Sequence, residues 1–376
     1  MLSLNGTNPS LVVHHHCLMN PSFWNNKRVL LTGHTGFKGS WMSLWLQSAG
    51  AHLTGVALAP PTTPSLFEVA NVAAGMSSEL ADIRDMKAMH TIVAKHRPEI
   101  VIHMAAQSVV RESYQNPVDT YATNVMGTVH VLEAIRQVGG VKAVVVVSSD
   151  KCYDNKEWVW GYRETDALGG YDPYSNSKGC TELVTAAYRS SYFAAHDHDK
   201  HGVAVATARA GNVIGGGDWT ADQLVPDTVR AFSEQRPVRL RSPGAVRPWQ
   251  FVLEPIDGYL SLAEHLYMHG SAFADAWNFG PSADHAQPVQ WIVEHLAKQW
   301  GESAKWEKDA QQHPHEAGFL KLDSSKAKAQ LNWQSKLNLA TALQWTVEWY
   351  RAYQLKNGMR ALTLAQIDRF MRHGSE

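Results

Sequence analysis

Three features that would mark particular protein classes are scarce or missing in this chain. Only three of its 376 residues are cysteines, and none of them forms a Cys-x-x-Cys spacing, which argues against a disulfide scaffold and favours a reducing compartment. The 34 basic and 35 acidic residues leave a net charge of −1, which argues against a nucleic-acid-binding surface. No apolar run reaches the ~18 residues of a membrane-spanning helix. The sequence therefore predicts a cytoplasmic globular protein.

The first twenty residues lack the charged start and the apolar core of a signal peptide. They include the tetrapeptide His14–Cys17, whose side chains are of a metal-binding type. The favoured interpretation is a disordered leader, a tag remnant or a translation artefact upstream of a start at Met19. We predict that residues 1–20 form a disordered leader and that the protein has no metal site.

What is present is a regular alternation of apolar β runs and amphipathic helices from residue 28 onward. Such an alternation is typical of a parallel sheet that is covered by helices on both faces. The sequence predicts an α/β fold of the Rossmann type, a doubly wound parallel sheet, over residues 21–210, with a returning segment near 245–265. Later, Gly- and Pro-rich loops separate short helices and no further long β run occurs. Residues 211–376 are therefore predicted to form mainly a smaller, mostly helical substrate domain.

Three glycines, Gly33, Gly36 and Gly39, lie between the first strand and its helix, in the segment TGHTGFKG. A strand, a Gly-rich turn and a helix together direct backbone N–H groups at a pyrophosphate. The spacing Gly-x-x-Gly-x-x-Gly is looser than the usual one, and a tight turn without a ligand is the alternative. We predict a dinucleotide site that includes Thr35 and Phe37.

The second strand ends without the acidic residue that commonly binds the ribose of NAD. No Lys or Arg lies between Lys38 and Arg84 to hold the extra phosphate of NADP, so the pattern favours NAD. We place the adenine near Asp82 and Ile83, and we place Ala105 beside the cofactor.

The run VVVVSSDKCY, residues 144–153, predicts a buried parallel strand that ends in Ser149 and an acid–base pair. Open α/β sheets bind their ligands at such carboxyl ends. Tyr174 and Lys178 follow at a four-residue spacing, which places both side chains on one face of a helix. Because an ammonium beside a phenol favours the phenolate, we predict a lowered pKa for the tyrosine.

These features resemble the extended short-chain dehydrogenase/reductase superfamily, whose catalytic triad matches Ser149, Tyr174 and Lys178. The segments SSDKCYDN, WGYRETDALGGYDPYSNSKGC, GNVIGGGDW and RPWQFVLEP resemble those of its CDP-glucose 4,6-dehydratase family, and the resemblance spans roughly residues 21–350. It implies NAD-dependent oxidation at C4 of a CDP-hexose, loss of water across C5–C6 and return of hydride to C6.

The resemblance also implies a role for each catalytic residue. Tyr174 would accept the proton of the C4 hydroxyl, Ser149 would hydrogen-bond the reacting oxygen, and Lys178 would bind the nicotinamide ribose. Asp150 is the expected acid at O6. Lys151 stands where dTDP-glucose dehydratases carry a glutamate base. It acts as a base if its pKa is lowered, stabilises an enolate if it stays charged, or only neutralises Asp150.

Five further residues are predicted substrate contacts. His103 and Gln107 follow a strand end at the ligand-binding edge of the sheet. Asn124 is either an active-site residue or a buried tie between a helix and a strand. By resemblance, Asn212 and Arg247 bind the diphosphate and its nucleoside, since an arginine suits a bidentate phosphate contact.

The function predicted from the sequence is dehydration of CDP-glucose by a homodimer, for the deoxysugars of a surface polysaccharide such as lipopolysaccharide. One alternative is another sugar-nucleotide 4,6-dehydratase or a 4-epimerase on the same fold, although an epimerase has no use for the acid–base pair beside Ser149. A second alternative is a non-catalytic dinucleotide sensor, a class that commonly lacks the Tyr/Lys pair that this chain retains.

Overall fold

The computed structural model describes residues 19–282, 285–301, 304–309, 311 and 318–373. The leader predicted over residues 1–20 lies outside this part of the chain, except for its last two residues. Met19 is buried and its backbone N–H donates to Asp257 Oδ1 at 3.1 Å, while Asn20 caps the first helix. The leader prediction is therefore wrong for these two residues.

The strands of the described residues are β1 (Arg28–Thr32), β2 (His52–Ala57), β3 (Ser77–Leu80), β4 (Ile100–His103), β5 (Ala143–Val147), β6 (Ala204–Ala210), β7 (Asn212–Ile214), β8 (Val238–Leu240), β9 (Val246–Phe251), β10 (Ala276–Phe279), β11 (Ala286–Pro288) and β12 (Trp306–Lys308). The α-helices of the same ranges are α1 (Pro21–Trp24), α2 (Phe37–Ser48), α3 (Leu66–Val69), α4 (Met86–His96), α5 (Val110–Gln115), α6 (Pro117–Tyr121), α7 (Gly127–Val138), α8 (Pro173–Ser191), α9 (His198–His201), α10 (Leu224–Ser233), α11 (Leu253–His269), α12 (Val289–Trp300), α13 (Ser325–Gln330), α14 (Leu339–Gln354) and α15 (Met359–Arg372).

Seven strands form one parallel sheet in the order β10-β6-β5-β4-β1-β2-β3. All five residues of β5 are buried, as the valine run predicts, and Val144 lies between Val101 of β4 and Val205 of β6. The strand order reverses at β1, between β4 and β2, which opens a ligand crevice at the carboxyl ends of these strands. The predicted fold class, a doubly wound Rossmann-type sheet, is confirmed.

Helices cover both faces of the sheet because alternate residues of each strand point in opposite directions. Leu30 of β1 packs in one apolar layer with α4 and α7, whereas Leu31 packs in the other with α2 and α11. Trp41 and Trp45 of α2 are fully buried in the second layer. All residues from 39 to 46 of this helix are buried, so α2 is enclosed on every side and not amphipathic as predicted. The two layers enclose β1 within the sheet, between β4 and β2.

The later half of the chain contributes more strands than the sequence predicted. β10 lies beside β6 as a seventh strand, with Asn278 opposite Arg209, and α11 packs against β5 and β6. β7, β9 and β11 form a second sheet, and β8 and β12 form a third. Helices still dominate residues 211–376, as predicted, but the short strands β7 to β12 were not foreseen.

Within the ranges that the structure describes, no helix combines the length and the apolar character that a membrane crossing requires.

Candidate active site

The glycine-rich loop after β1 has a backbone shape that side chains would prevent. Gly33 has a φ of +82°, and a Cβ on it would lie 2.9 Å from the backbone nitrogen of Ala105. A Cβ on Gly39 would lie 2.0 Å from the carbonyl oxygen of Gly33. Gly36 is the N-cap of α2, and no side chain caps that first turn. The backbone N–H groups at the start of this twelve-residue helix are therefore available to a pyrophosphate.

Gly39→Ala is expected to destabilise the protein by roughly 2–4 kcal/mol even without cofactor, because the added methyl overlaps the backbone of Gly33. Gly36→Ala is the matched control, since its Cβ would lie 3.5 Å from the same oxygen and its φ of −78° suits alanine. We expect this variant to stay within about 1 kcal/mol of wild type. Thermal unfolding without ligand checks both values, and equal losses in the two variants would contradict the steric argument.

The other predicted cofactor residues lie along the same carboxyl edge of the sheet. Asp82 follows β3 and accepts hydrogen bonds from Arg84 at 2.8 and 2.6 Å, which lower the pKa of the carboxyl group. Ile83 is buried against Gly127, where a Cβ would approach its Cδ1 to 2.5 Å. Within the loop, Thr35 Oγ1 donates to the carbonyl oxygen of Leu58 beyond β2 at 3.0 Å.

The exit of β5 forms a short 3₁₀ turn, Asp150–Cys152, that is capped by Ser149. Ser149 Oγ accepts the N–H of Lys151 at 3.2 Å and donates to Asp150 Oδ1 at 3.0 Å. Asp150 is 2% exposed, and its Oδ2 has no hydrogen-bond partner among the described residues. Burial raises the pKa of this carboxyl group, against the attraction of Lys151. The turn therefore holds a buried acid whose pKa lies above its ordinary value.

Tyr174 and Lys178 lie in the first two turns of α8 and are both buried. Burial raises the pKa of Tyr174, and its hydrogen bond with the Ser149 side chain offsets this only in part. The lowered pKa predicted for this tyrosine is therefore wrong for the free protein. Lys178 Nζ donates to the carbonyl oxygen of Val147 at 3.3 Å, and burial, helped by Lys38, lowers the lysine pKa to about 8.

His103 was predicted to contact substrate, and the structure places it in the core instead. Its Nδ1 lies 2.7 Å from Thr32 Oγ1, and its Nε2 lies 3.1 Å from Thr128 Oγ1. Burial lowers its pKa to about 3, so the ring stays neutral. Both ring nitrogens are engaged in joining β1, β4 and α7, which is a structural position.

Gln107 and Asn124 also make structural hydrogen bonds within the protein. The Asn124 Oδ1 accepts the N–H of Gln107 at 2.8 Å, and its Nδ2 donates to Ser177 Oγ at 2.8 Å. The Gln107 side chain bonds the backbone of Val109 twice: its Nε2 donates to the Val109 carbonyl oxygen, and its Oε1 accepts the Val109 N–H. Of the two alternatives for Asn124, the geometry favours the buried structural tie.

A cavity of about 820 Å³ opens beside the 3₁₀ turn, within the size range of small-molecule sites. Lys151 lines it, together with the predicted substrate residues Asn212 of β7 and Arg247 of β9. Arg247 is only 8% exposed, and its charge attracts the Asp150 carboxylate. The structure thus brings these predicted residues to one cavity.

Several charged residues near the site were not among the predicted contacts. Lys38 lies in the first turn of α2, and burial lowers its pKa to about 8 against the attraction of Asp150. Its position within the glycine-rich segment was visible in the sequence. Arg111, Asp222 and Arg241 line the cavity from three separate segments. Because they lie in irregular segments or short elements far apart in the chain, no local pattern connected them.

A Rossmann-type sheet that carries a serine at a strand exit and a Tyr/Lys pair on the next helix defines a short-chain dehydrogenase/reductase of the extended type. Residues 30–346 match the family described as GDP-mannose 4,6 dehydratase, and the chain belongs to that family. The chain is also 51% identical over 354 residues to the CDP-glucose 4,6-dehydratase of Salmonella typhimurium strain LT2, across 94% of this chain and 99% of that protein.

Solved structures share the fold. The UDP-glucose 4-epimerase of Thermotoga maritima, solved with UDP-glucose, superposes with a TM-score of 0.74 at 24% identity, covering 87% of this chain and 99% of that one. The dTDP-glucose 4,6-dehydratase of Bacillus anthracis strain Ames, solved with NAD, superposes with a TM-score of 0.72 at 21% identity, covering 88% and 98%. At these identities the similarity establishes the fold and not the reaction.

Proposed function

We propose that this protein is an NAD-dependent hydro-lyase that converts CDP-glucose into CDP-4-dehydro-6-deoxyglucose, a precursor of deoxysugars. The 51% identity to the Salmonella enzyme over nearly the whole chain supports both the nucleotide and the reaction. We further propose that the product serves surface polysaccharide.

The observation that carries the proposal is the acid–base pair on the turn that directly follows Ser149. Asp150 is buried, which raises its pKa, and Lys151 Nζ lies 5.8 Å from the ring centroid of Tyr174. Oxidation of a sugar hydroxyl requires only the serine and the Tyr/Lys pair. Elimination of water requires an acid and a base in addition. A 4-epimerase on this fold would leave the pair without a task.

The residues available for a dinucleotide fit NAD. The backbone of Gly33, Gly36 and Gly39 would hold the pyrophosphate at the start of α2, and Lys178 would hold the nicotinamide ribose. β2 runs into the exposed Leu58 and presents no cation for a 2′-phosphate there. When bound, NAD supplies a hydride acceptor at C4 and a hydride donor at C6, so it is not consumed.

In the oxidation step, Tyr174 takes the proton of the C4 hydroxyl as that carbon loses hydride. Ser149, which hydrogen-bonds the tyrosine side chain, holds the same oxygen in place. Because burial raises the pKa of Tyr174, its phenolate is a strong base once it forms. The positive charge of Lys178 stabilises that phenolate.

In the elimination step, the C4 ketone acidifies the C5 proton, which Lys151 removes. Asp150 protonates O6, the C6–O6 bond breaks, and water leaves. Hydride then adds to C6, and Lys151 returns its proton to C5. The proton that Tyr174 gained replaces the one that Asp150 lost, so the net change is the loss of one water molecule.

Lys151→Met is expected to lower the rate of dehydration by at least about 100-fold, because C5 loses its base. Exchange of the C5 proton with deuterated water should fall in parallel. Lys151→Glu should keep more activity than the methionine variant, since a carboxylate restores a proton acceptor at this position. A methionine variant that still exchanges the C5 proton would mean that the amine only stabilises the enolate, and near-normal turnover would remove the side chain from the mechanism.

The proposed function is tested with a panel of CDP-, dTDP-, UDP- and GDP-glucose in the presence of NAD. Loss of the mass of one water, with the alkaline absorbance of a 4-keto sugar, is expected for CDP-glucose. A product of unchanged mass would instead identify an epimerase. A protein that binds NAD yet turns over none of the four sugars would favour a dinucleotide sensor.

We also propose a homodimer. Four apolar side chains on neighbouring helical segments are exposed, namely Val118 (82%), Met126 (47%), Leu183 (59%) and Tyr192 (50%). Exposed apolar patches of this kind mark protein interfaces. Light scattering should give twice the 41.7 kDa chain mass, and a monomer at micromolar concentration would rule this out.

A further inference from the structure

The substrate cavity contains an ion pair that the proposed reaction does not use. Asp222 Oδ1 lies 3.1 Å from Arg111 Nη1 and 3.5 Å from Arg241 Nη1. Arg111 is on α5, whereas Arg241 directly follows β8, so the aspartate joins two separate parts of the cavity wall. The three side chains are between 24% and 39% exposed and are accessible to a ligand.

The backbone directs Asp222 towards this position. Its φ of +61° lies in the left-handed region, which costs energy for a residue other than glycine and is found preferentially where function requires it. Aspartate tolerates this conformation better than most residues. The carboxylate is thereby held beside Arg241 before any ligand enters, and this preorganisation favours recognition.

The wall around this ion pair has an apolar part. Val238 and Leu240 of β8 are buried and line the cavity, and Leu224 and Val289 line it as well. Lys151 and Arg247 mark the end of the same cavity where Asp150 lies. If the sugar lies at Lys151 and the diphosphate lies at Arg247, the base of the nucleotide lies against the apolar wall and the ion pair.

The polar edge of cytosine has one donor, its amino group, followed by two acceptors, N3 and O2. A carboxylate accepts hydrogen bonds from such an amino group, and a guanidinium donates two parallel bonds to adjacent acceptors. We propose that Asp222 and Arg241 together recognise the cytosine of the substrate and determine its nucleotide specificity. This inference rests on the proposed function, because it assumes a CDP-sugar in this cavity.

The same pair rejects uracil and thymine. Both bases carry O4 in place of the amino group, which would face the Asp222 carboxylate, and an N3–H in place of N3, which would face the Arg241 guanidinium. An acceptor would then face an acceptor at Asp222, and a donor would face a donor at Arg241, so neither contact could form a hydrogen bond. A site built for hydrogen bonds discriminates strongly against an analogue that cannot make them.

Affinities of CDP and UDP for the protein loaded with NAD, measured by calorimetry, test this proposal without relying on turnover. Wild type is expected to prefer CDP. Asp222→Asn and Arg241→Met should each reduce the ratio of CDP affinity to UDP affinity by about 10- to 100-fold, the range for one bidentate base contact. In the asparagine variant the amide can turn its NH₂ towards O4, so UDP affinity should rise.

Arg239→Met is the matched control, because Arg239 lies on β8 two residues before Arg241 but pairs with Glu307 at 2.7 Å and is 68% exposed. It should leave the ratio unchanged. An unchanged ratio of CDP affinity to UDP affinity in the Asp222 and Arg241 variants would overturn the proposal. If both affinities fell equally, these residues would act on the part that CDP and UDP share; if neither fell, they would not contact the ligand. A wild type that prefers CDP but does not dehydrate CDP-glucose would overturn the proposed function alone.

Discussion

Tyr174→Phe is expected to lower the rate of CDP-glucose dehydration by roughly 10²- to 10⁴-fold, the range for loss of a positioned general base. The substitution removes only the hydroxyl group that accepts the C4 proton, while the buried ring remains. Because oxidation at C4 precedes every later step, hydride loss from C4 and release of the 4-keto product should fall together. Initial rates with C4-deuterated CDP-glucose measure both.

The pH dependence provides a second measurement on the same residue. Burial raises the pKa of Tyr174, so the phenol is the dominant form at neutral pH and the phenolate fraction grows as the pH rises. The rate of C4 oxidation in wild type should therefore increase with pH on the alkaline side. The phenylalanine variant should lack this increase.

Tyr188→Phe is the matched control for this experiment. Tyr188 lies on the same helix as Tyr174, but its hydroxyl group donates to Glu133 of α7 at 3.4 Å. This variant should keep a near-normal rate. The free energy of unfolding of the Tyr174 variant should lie within about 1 kcal/mol of the wild-type value, because one hydrogen bond contributes about that much. Near-normal turnover by a folded Tyr174→Phe protein would remove the tyrosine from the mechanism.

The main sheet was predictable wherever strands are apolar and long enough to be recognised. β5 consists of alanine and four valines and is buried throughout, so its sequence alone identifies a central strand. β10 was missed because its four residues include Asn278, a residue that strands disfavour. That asparagine is accommodated by hydrogen bonds to the carbonyl oxygens of Tyr162 and Asp323, which are distant in sequence. Only the folded chain supplies those partners.

The candidate site was likewise predictable only where the evidence is local in the sequence. The spacing of Tyr174 and Lys178 is local, so the sequence could place both residues on one face of a helix. The position of His103 at a strand end was also local, but the direction of its side chain depends on Thr32 and Thr128, which come from other elements. A position at a strand end indicates the edge of the sheet at which a residue lies, but not which side chains it contacts. Tertiary contacts therefore decided which of the predicted residues lie in the core.

Asp150→Asn is expected to separate the two halves of the reaction. The amide cannot protonate O6, so loss of water should slow by roughly 10²- to 10⁴-fold. Oxidation at C4 uses Ser149, Tyr174 and Lys178, and it should continue. Substrate mixed with the variant should therefore lose hydride from C4 and exchange its C5 proton with deuterated water through Lys151, yet release little 4-keto-6-deoxy product.

The protonation state of Asp150 sets the pH at which this variant should differ most from wild type. Burial raises the pKa of the carboxyl group, so its acid form is present below that raised value and is lost as the pH rises through it. The rate of elimination by wild type should therefore decline as the pH rises through this pKa. The asparagine variant should lack this pH-dependent decline. Asp154→Asn is the matched control, because Asp154 lines the cavity beside the 3₁₀ turn but pairs with the surface residue Lys156. This variant should keep both C4 oxidation and water loss. If C4 oxidation and water loss fell equally in Asp150→Asn, the acid would serve both steps, and the division of labour along the exit of β5 would be wrong.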